Sequence, residues 1–386
     1  MTTDVYIASD SSLTPLGFST DENYLSLRAG MRGMRPTQLA SIDDTLYIAR
    51  LDDTLLDQHF APLADVHAYT KAEKLLLLSI YQTLQQAGLD SHHPELQIII
   101  STTKGNIDLL GHTPDALPHP ESHYLWHLAD TAQKFFQTTH RPLILSNACI
   151  SGVNALVTAT RLIKSGMYRH VVVAGVDLAS DFVISGFHSF KAISTQPCRP
   201  FDQDRTGINL GEGCGSLLLT SDRIPYDSRH LIRIAGGATS NDANHISGPS
   251  RTGDGLFLAI DHALQQAALT ATQIDYLNAH GTATLYNDEM EAKAFHLAGL
   301  QNTPMNGWKG YLGHTLGAAG TLESIFSIRS MCHNEILPTL GYAKPGTSES
   351  IQVSDQKQEK EIRYLLKTAS GFGGCNGAVV FEKIFH

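Results

Sequence analysis

The sequence predicts an α/β fold, layered and built from two duplicated βαβ halves. Helical and strand-like patterns alternate along the whole chain, several strand-like runs are apolar throughout, and two stretches echo each other across the middle. A strand with no polar face is covered on both sides, which sets sheets between layers of helices.

The elements follow in order. "MTTDVYIASDSS" (1–12) reads as a first strand; it lacks the basic stretch and apolar run of a signal peptide. "TKAEKLLLLSIYQTLQQAGLD" (70–90) has the spacing of an amphipathic helix closed by Gly88. "LQIIIST" (96–102) and "HVVVAGVDLA" (170–179) are buried strands. The polar turn "SDRIPYDSRHL" (221–231) precedes a new strand, "LIRIAGGATS", and marks the division into halves 1–228 and 229–386. The echo joins "CISGVNALVTATRLIKSG" (149–166) to "HTLGAAGTLESIFSIRSM" (314–331). Each begins with a chemically capable residue and has glycine three positions later. Two such small-residue helices can pack backbone to backbone, with both N-termini facing one site.

With 38 acidic against 28 basic side chains, the net charge is −10, which disfavours binding to nucleic acid. No run approaches the roughly 18 apolar residues of a membrane span. The five cysteines (149, 198, 214, 332, 375) include no CxxC pair. They argue against a disulfide framework or zinc knuckle and for a reducing cytoplasm.

Cys149 follows a buried strand and opens a helix whose apolar face carries Gly152, Leu156, Ala159 and Ile163. At a helix start the free N–H groups and the dipole favour a thiolate, and they can also receive an oxyanion. Cysteine is equally a common buried hydrophobe, so the segment alone leaves nucleophile and core residue open. His280 closes a strand in "IDYLNAHGTATLYNDEMEAKAF" (274–295), with Asn287 expected as the cap of the next helix and Asp288 and Glu289 in its first turn. A histidine there is also commonly structural. In "GWKGYLGHTLGAAGTLESIF" (307–326) His314 stands at the mouth of the second small-residue helix. Glycines 310, 313, 317 and 320 crowd backbones around Lys309, which favours a buried Lys309–Glu323 pair over a solvated lysine. His119, His123 and His127 fall at i, i+4, i+8 on a helix expected from Pro120. With no carboxylate nearby in sequence, that face reads as solvated or interfacial, and no metal site is expected.

Taken together, "TPLG" (14–17), "NACISG" around Cys149, "CRPFDQDRTGINLGEGCGSLLL" (198–219), "SNDANHISGP" (240–249), "NAHGTATLYNDEMEA", "KGYLGHTLGAAGTLE" and "SGFGGCNGAVVFE" form an ordered set. Through them almost the whole chain resembles the elongating β-ketoacyl-acyl-carrier-protein synthases of the thiolase superfamily. That resemblance implies a thiolase-like five-layer αβαβα fold and a decarboxylative condensation of an acyl-enzyme with a malonyl carrier, without a cofactor. It also implies the roles. Cys149 is the nucleophile, its N–H and that of Phe372 forming the oxyanion hole; His280 and His314 are the paired histidines; Lys309 pairs with Glu323. Thr282 and Thr284 hold the carrier's pantetheine arm, and Phe372 gates the acyl pocket opposite the loop Asp242–His245. Asp288 and Glu291 stand behind the histidines. The implied partners are an acyl carrier protein and a second subunit, identical or related.

Departures from the family pattern bear on chain length and pathway: "KGYLGH" replaces a Lys-Ser lead, and "STTKGN" (101–106) replaces a glycine-rich turn. The pattern is similar to short synthases of specialised pathways such as aryl polyene assembly. Two alternatives have distinct marks. A thiolase would need a second catalytic cysteine in the C-terminal glycine-rich turn, where Cys375 follows the glycines rather than preceding them. A silent chain-length-factor subunit would lack the nucleophile. Lys71, Lys74 and Lys191 are candidates for docking an acidic carrier, or are solvated lysines.

Overall fold

The computed structural model describes residues 3–40, 42–110, 119–245 and 248–385. The main elements of the first half are β1 (Tyr6–Leu13), α1 (Lys71–Ala87), β2 (Leu96–Ser101), α2 (Leu125–Phe136), β3 (Leu143–Leu145), α3 (Ser151–Lys164), β4 (His170–Asp177), α4 (Asp181–Ser189) and β5 (Gly213–Thr220). Those of the second are β6 (His230–Asn241), α5 (Asp254–Ala267), β7 (Tyr276–Asn278), α6 (Leu285–Leu297), β8 (Met305–Asn306), α7 (Ala319–His333), β9 (Tyr364–Gly371) and β10 (Cys375–Phe385).

Local chemistry accounts for the boundaries. Thr70 and Glu73 form a reciprocal capping box at the start of α1, and Gly88 ends it in the left-handed region at φ 63°. Strands β2 and β4 are buried at every position, as continuous apolar runs require. Two expected boundaries move. The helix expected from Pro120 begins at Leu125, so only His127 of the three histidines lies on it. His119 and His127 still meet, with ring centroids 5.4 Å apart, while buried His127 sits 3.5 Å from Glu73. Asn287 is inside α6 rather than capping it, because Thr284 takes the cap position.

Strand order repeats. From the centre outward the first half runs β1-β5-β4-β2-β3 and the second β6-β10-β9-β7-β8. In each half the first two pairings are antiparallel and the last two parallel. A short antiparallel contact between β1 and β6, Tyr6 to Arg233 and Ile7 to Ile232, joins the halves. Helix α1 covers the outer face of the first sheet, and α5 that of the second. Helices α3 and α7 lie between, each touching strands of both halves, so the layers run αβαβα.

The central pair explains the shared glycines of the echo. A Cβ placed on Gly152 would stand 2.7 Å from Thr321 N and 2.9 Å from the Gly320 Cα. Backbone cannot yield there as a flexible side chain would, so the two helices would have to part. Gly152→Ala is expected to cost about 3 kcal/mol of stability, read as a lower urea midpoint. An unchanged midpoint would remove this explanation of the small residues.

Candidate active site

The repeated topology brings equivalent positions together. Cys149 lies between β3 and α3, and His314 between β8 and α7, the matching connection of the second half. His280 follows β7 by two residues. One ligand-capable atom from each of Cys149, His280 and His314 lies within 4.8 Å of the other two. The imidazoles meet edge to face, with ring centroids 5.1 Å apart. All three residues line one cavity of about 430 Å³.

Strained backbone aims these groups. Ala148, Ala283 and Leu316 hold positive φ (45°, 61° and 51°), a conformation costing about 1–3 kcal/mol for a residue with a side chain. Ala148 turns the chain immediately before Cys149. Ser151 fixes that turn: its Oγ accepts the Asn147 N–H at 2.8 Å and donates to Ala148 O at 2.6 Å. His314 is pinned through its backbone, its N–H on Asn209 O at 2.8 Å and its carbonyl on Gly211 N at 3.0 Å.

Behind the histidines lies a buried charge cluster. Lys309 Nζ reaches Glu323 Oε1 at 2.7 Å, His280 Nδ1 at 3.1 Å and His280 O at 2.6 Å. Lys367, absent from the sequence expectations, contacts the other Glu323 oxygen at 2.5 Å. One carboxylate therefore faces two lysines. Burial first, and then the Lys309 charge, hold both His280 and His314 well below the ordinary histidine value. Both shifts favour the neutral imidazole. His314 has no hydrogen-bond partner on either ring nitrogen, although it is 1% exposed. Such orphaned nitrogens are open to a ligand.

The thiol departs from expectation. Burial pushes Cys149 up to about 11, outweighing the Lys309 charge and the Phe372 N–H that donates to its sulfur. The favourable helix start does not leave a standing thiolate here, because Cys149 is buried.

The other expected residues divide into cavity wall and support. Thr282 and Thr284 line the wall and share a hydroxyl hydrogen bond of 2.8 Å. Phe372, 37% exposed, lines it too and stacks on Phe187 with centroids 5.5 Å apart. Asp242 and His245 also border the cavity. Asp242, however, is engaged in the wall itself, accepting from Asn376 Nδ2 at 2.7 Å and Ser250 N at 2.8 Å. Glu323 and Lys309 stay behind His280. Glu291 accepts the N–H groups of His280 and Gly281, both at 2.7 Å, while Asp288 accepts those of Phe201 at 2.7 Å and Thr282 at 3.0 Å. Burial raises these carboxyls to about 7 and about 6.

Asp177 is a second residue missed from sequence. It ends β4 and accepts from Thr102, Thr103, Lys104 and Gly317, tying the first half to the turn after His314. Burial pushes its carboxyl up against those donors. An acidic residue closing an apolar strand was the available signal. Two docking candidates are ion-paired within the chain rather than free: Lys71 with Glu212 at 2.5 Å and Asp53 at 2.7 Å, and Lys74 with Asp57. Lys191 remains exposed at the cavity edge.

This strand order and its layers define a thiolase-like fold, with one thiol and two imidazoles gathered in a single cavity. Residues 2–223 match the β-ketoacyl synthase N-terminal domain and residues 231–343 the β-ketoacyl synthase C-terminal domain. The chain belongs to the β-ketoacyl synthase family and is thereby an acyltransferase. It is 30% identical to a 3-oxoacyl-[acyl-carrier-protein] synthase homolog of Saccharomyces cerevisiae, with 99% of each chain covered. It is 27% identical to 3-oxoacyl-[acyl-carrier-protein] synthase 2 of Vibrio cholerae, covering 98% of this chain and 99% of that one. Among solved structures it resembles a ketosynthase in complex with its chain length factor from Xenorhabdus doucetiae, at TM-score 0.87 and 26% identity over 99% and 98% of the two chains. No helix among the described residues is long and apolar enough to cross a membrane.

Proposed function

We propose that this protein joins an acyl group carried on Cys149 to a malonyl group carried by an acyl carrier protein, with loss of carbon dioxide. The observation that supports this most is the convergence of one thiol and two neutral imidazoles in a single cavity. In the same reading residues 1–228 and 229–386 are the duplicated halves, a division supported by their matching strand order.

The raised thiol requires a base during acylation, and the two histidines are not equivalent for that task. A lysine ammonium only donates, so His280 Nδ1 accepts from Lys309 and the ring proton sits on Nε2. Facing the cavity, His280 can then donate but not accept. His314, with both nitrogens free of partners, retains an acceptor. The Cys149 proton passes to His314 as the sulfur attacks the incoming thioester, then returns to the departing pantetheine thiolate. The N–H groups of Cys149 and Phe372 receive the oxyanion.

Malonyl carrier enters next, its arm held along Thr282 and Thr284. Its carboxylate leaves as carbon dioxide, and the bonding electrons form an enolate whose charge collects on the thioester oxygen. Neutral His280 and His314 each donate to that oxygen, worth on the order of 3 kcal/mol per donor. The enolate carbon then attacks the Cys149 thioester, and the released thiolate regains a proton from solvent. Lys309, Glu323 and Lys367 act through His280, holding its tautomer and the positive field beneath it. No step calls on a metal or organic cofactor.

The partners in this reading are an acyl carrier protein, met near Lys191, and a second ketosynthase-like subunit. The latter rests on likeness to the Xenorhabdus ketosynthase with its chain length factor. A second copy of this chain is the alternative. None of the five cysteines is paired, in keeping with a reducing cytoplasm. A thiolase reading is not favoured: Cys375 donates its thiol to Asn147 Oδ1 at 2.9 Å rather than joining the catalytic trio.

The test supplies acyl and malonyl carriers and follows β-ketoacyl product and carbon dioxide. Acetyl-CoA alone should give nothing; acetoacetyl-CoA would instead indicate a thiolase. The imidazole NMR signals of His280 and His314 should hold their neutral positions as pH falls through about 6.5, where an ordinary histidine protonates; the rate itself also carries Glu291, raised to about 7 behind them. Protonation of either ring with a midpoint near 6.5 would contradict the neutral pair.

A further inference from the structure

We propose that Asp227, His230 and Cys332 form a site for a thiophilic divalent cation of the zinc type, separate from the catalytic cavity. One carboxylate oxygen, one imidazole nitrogen and the Cys332 sulfur all lie within 4.8 Å of one another. Cys332 belongs to the last turn of α7, whereas His314 precedes its first, so the two sites stand about 20 Å apart along that helix.

Two of the three ligands are held in place by the turn before β6. Asp227 Oδ1 accepts the N–H groups of Arg229 and His230, each at 2.8 Å, and Asp227 Oδ2 lies 2.8 Å from His230 Nδ1. The third comes from a rigid central helix. Bonds of about 2.0–2.3 Å to a tetrahedral ion place its ligands roughly 3.5 Å apart, so a pair at the 4.8 Å limit closes by about 1.3 Å, while Asp227 Oδ2 and His230 Nδ1 open from 2.8 Å by about 0.7 Å. One carboxylate, one imidazole and one thiolate suit zinc, with water in the fourth position.

The surroundings accept added positive charge. The C-terminal end of α7 presents the negative pole of its dipole. Among the described residues two cations act on Cys332, and both are engaged: Lys383 Nζ donates to Met331 O at 2.8 Å and Asn334 Oδ1 at 2.5 Å, and Arg329 pairs with Asp10 at 3.3 Å and Asp21 at 3.2 Å. His230 is buried, but Asp227 is partly open to solvent and gives a way in. Binding must displace the thiol proton of Cys332, so affinity rises with pH. The bound ion would tie the turn between the halves to the end of the helix whose other end carries His314.

Cobalt(II) is the probe, titrated into the Cys149→Ala protein so that the catalytic trio cannot contribute a sulfur. One equivalent is expected to bind with a sulfur-to-cobalt charge-transfer band, and zinc is expected to bleach it. In the same background Cys332→Ser should lose the band, and His230→Ala should weaken binding by tenfold or more on the order of magnitude seen for metal-site groups. Should either fold poorly, Asp227→Asn, which keeps an oxygen for the Arg229 and His230 N–H groups, should still lower affinity by about tenfold while retaining the metal-free circular-dichroism spectrum of the parent. A band that survives Cys332→Ser, an affinity untouched by Asp227→Asn, or no uptake by folded Cys149→Ala protein at equimolar cobalt overturns the site.

Discussion

Cys149→Ala is expected to abolish the acyl-enzyme mass shift and to lower condensation on the order of 10⁴-fold or more, as loss of a covalent nucleophile does. The cavity should survive. Alanine fills part of the same buried position, and Ala148 and Ser151 continue to set the turn. Stability near that of the unaltered protein, together with the lost adduct, separates chemistry from folding. Cys149→Ser should also fail, because an alcohol resists ionisation far more strongly than a thiol that burial already raises to about 11. An alanine variant that still condensed acyl and malonyl carriers would place the acyl group on another residue.

His280→Ala is expected to divide the two half-reactions. Acylation of Cys149 should persist, since in the proposed reaction the proton acceptor is His314, whose ring nitrogens have no partners. Malonyl decarboxylation should fall about 10²–10³-fold, the cost of removing one preorganised donor to a developing oxyanion. His314→Ala should slow both steps, because that imidazole serves first as base and then as donor. The difference comes from Lys309, which occupies Nδ1 of one histidine only. Equal loss of acylation in both variants would remove that distinction. Full condensation by His280→Ala would remove its role altogether.

Much of this was legible in the sequence for physical reasons. Apolar β-branched runs announced buried strands, and the glycine spacing after Cys149 and His314 announced two helices in backbone contact. The Lys309–Glu323 pair was legible because glycines leave no room for solvent around a lysine. Burial was harder to read. It decides that the Cys149 thiol is raised although its place before a helix argues the reverse. It also hid Lys367, whose only signal was a lysine within the apolar strand "YLLKTASG". Ala148 gives no hint of left-handed backbone, since alanine does not ordinarily adopt it. Lys71 looked free because its partner Glu212 lies 141 residues away.

The most direct measurement is peptide mapping by mass spectrometry after the protein meets an acyl carrier, repeated once malonyl carrier is added. The acyl group should appear only on the peptide holding residue 149, and then leave as chain-extended product with one carbon dioxide per turnover. Label found on Cys375 or another side chain, or an adduct that malonyl carrier does not discharge, would show that this thiol and its two imidazoles do not share one reaction.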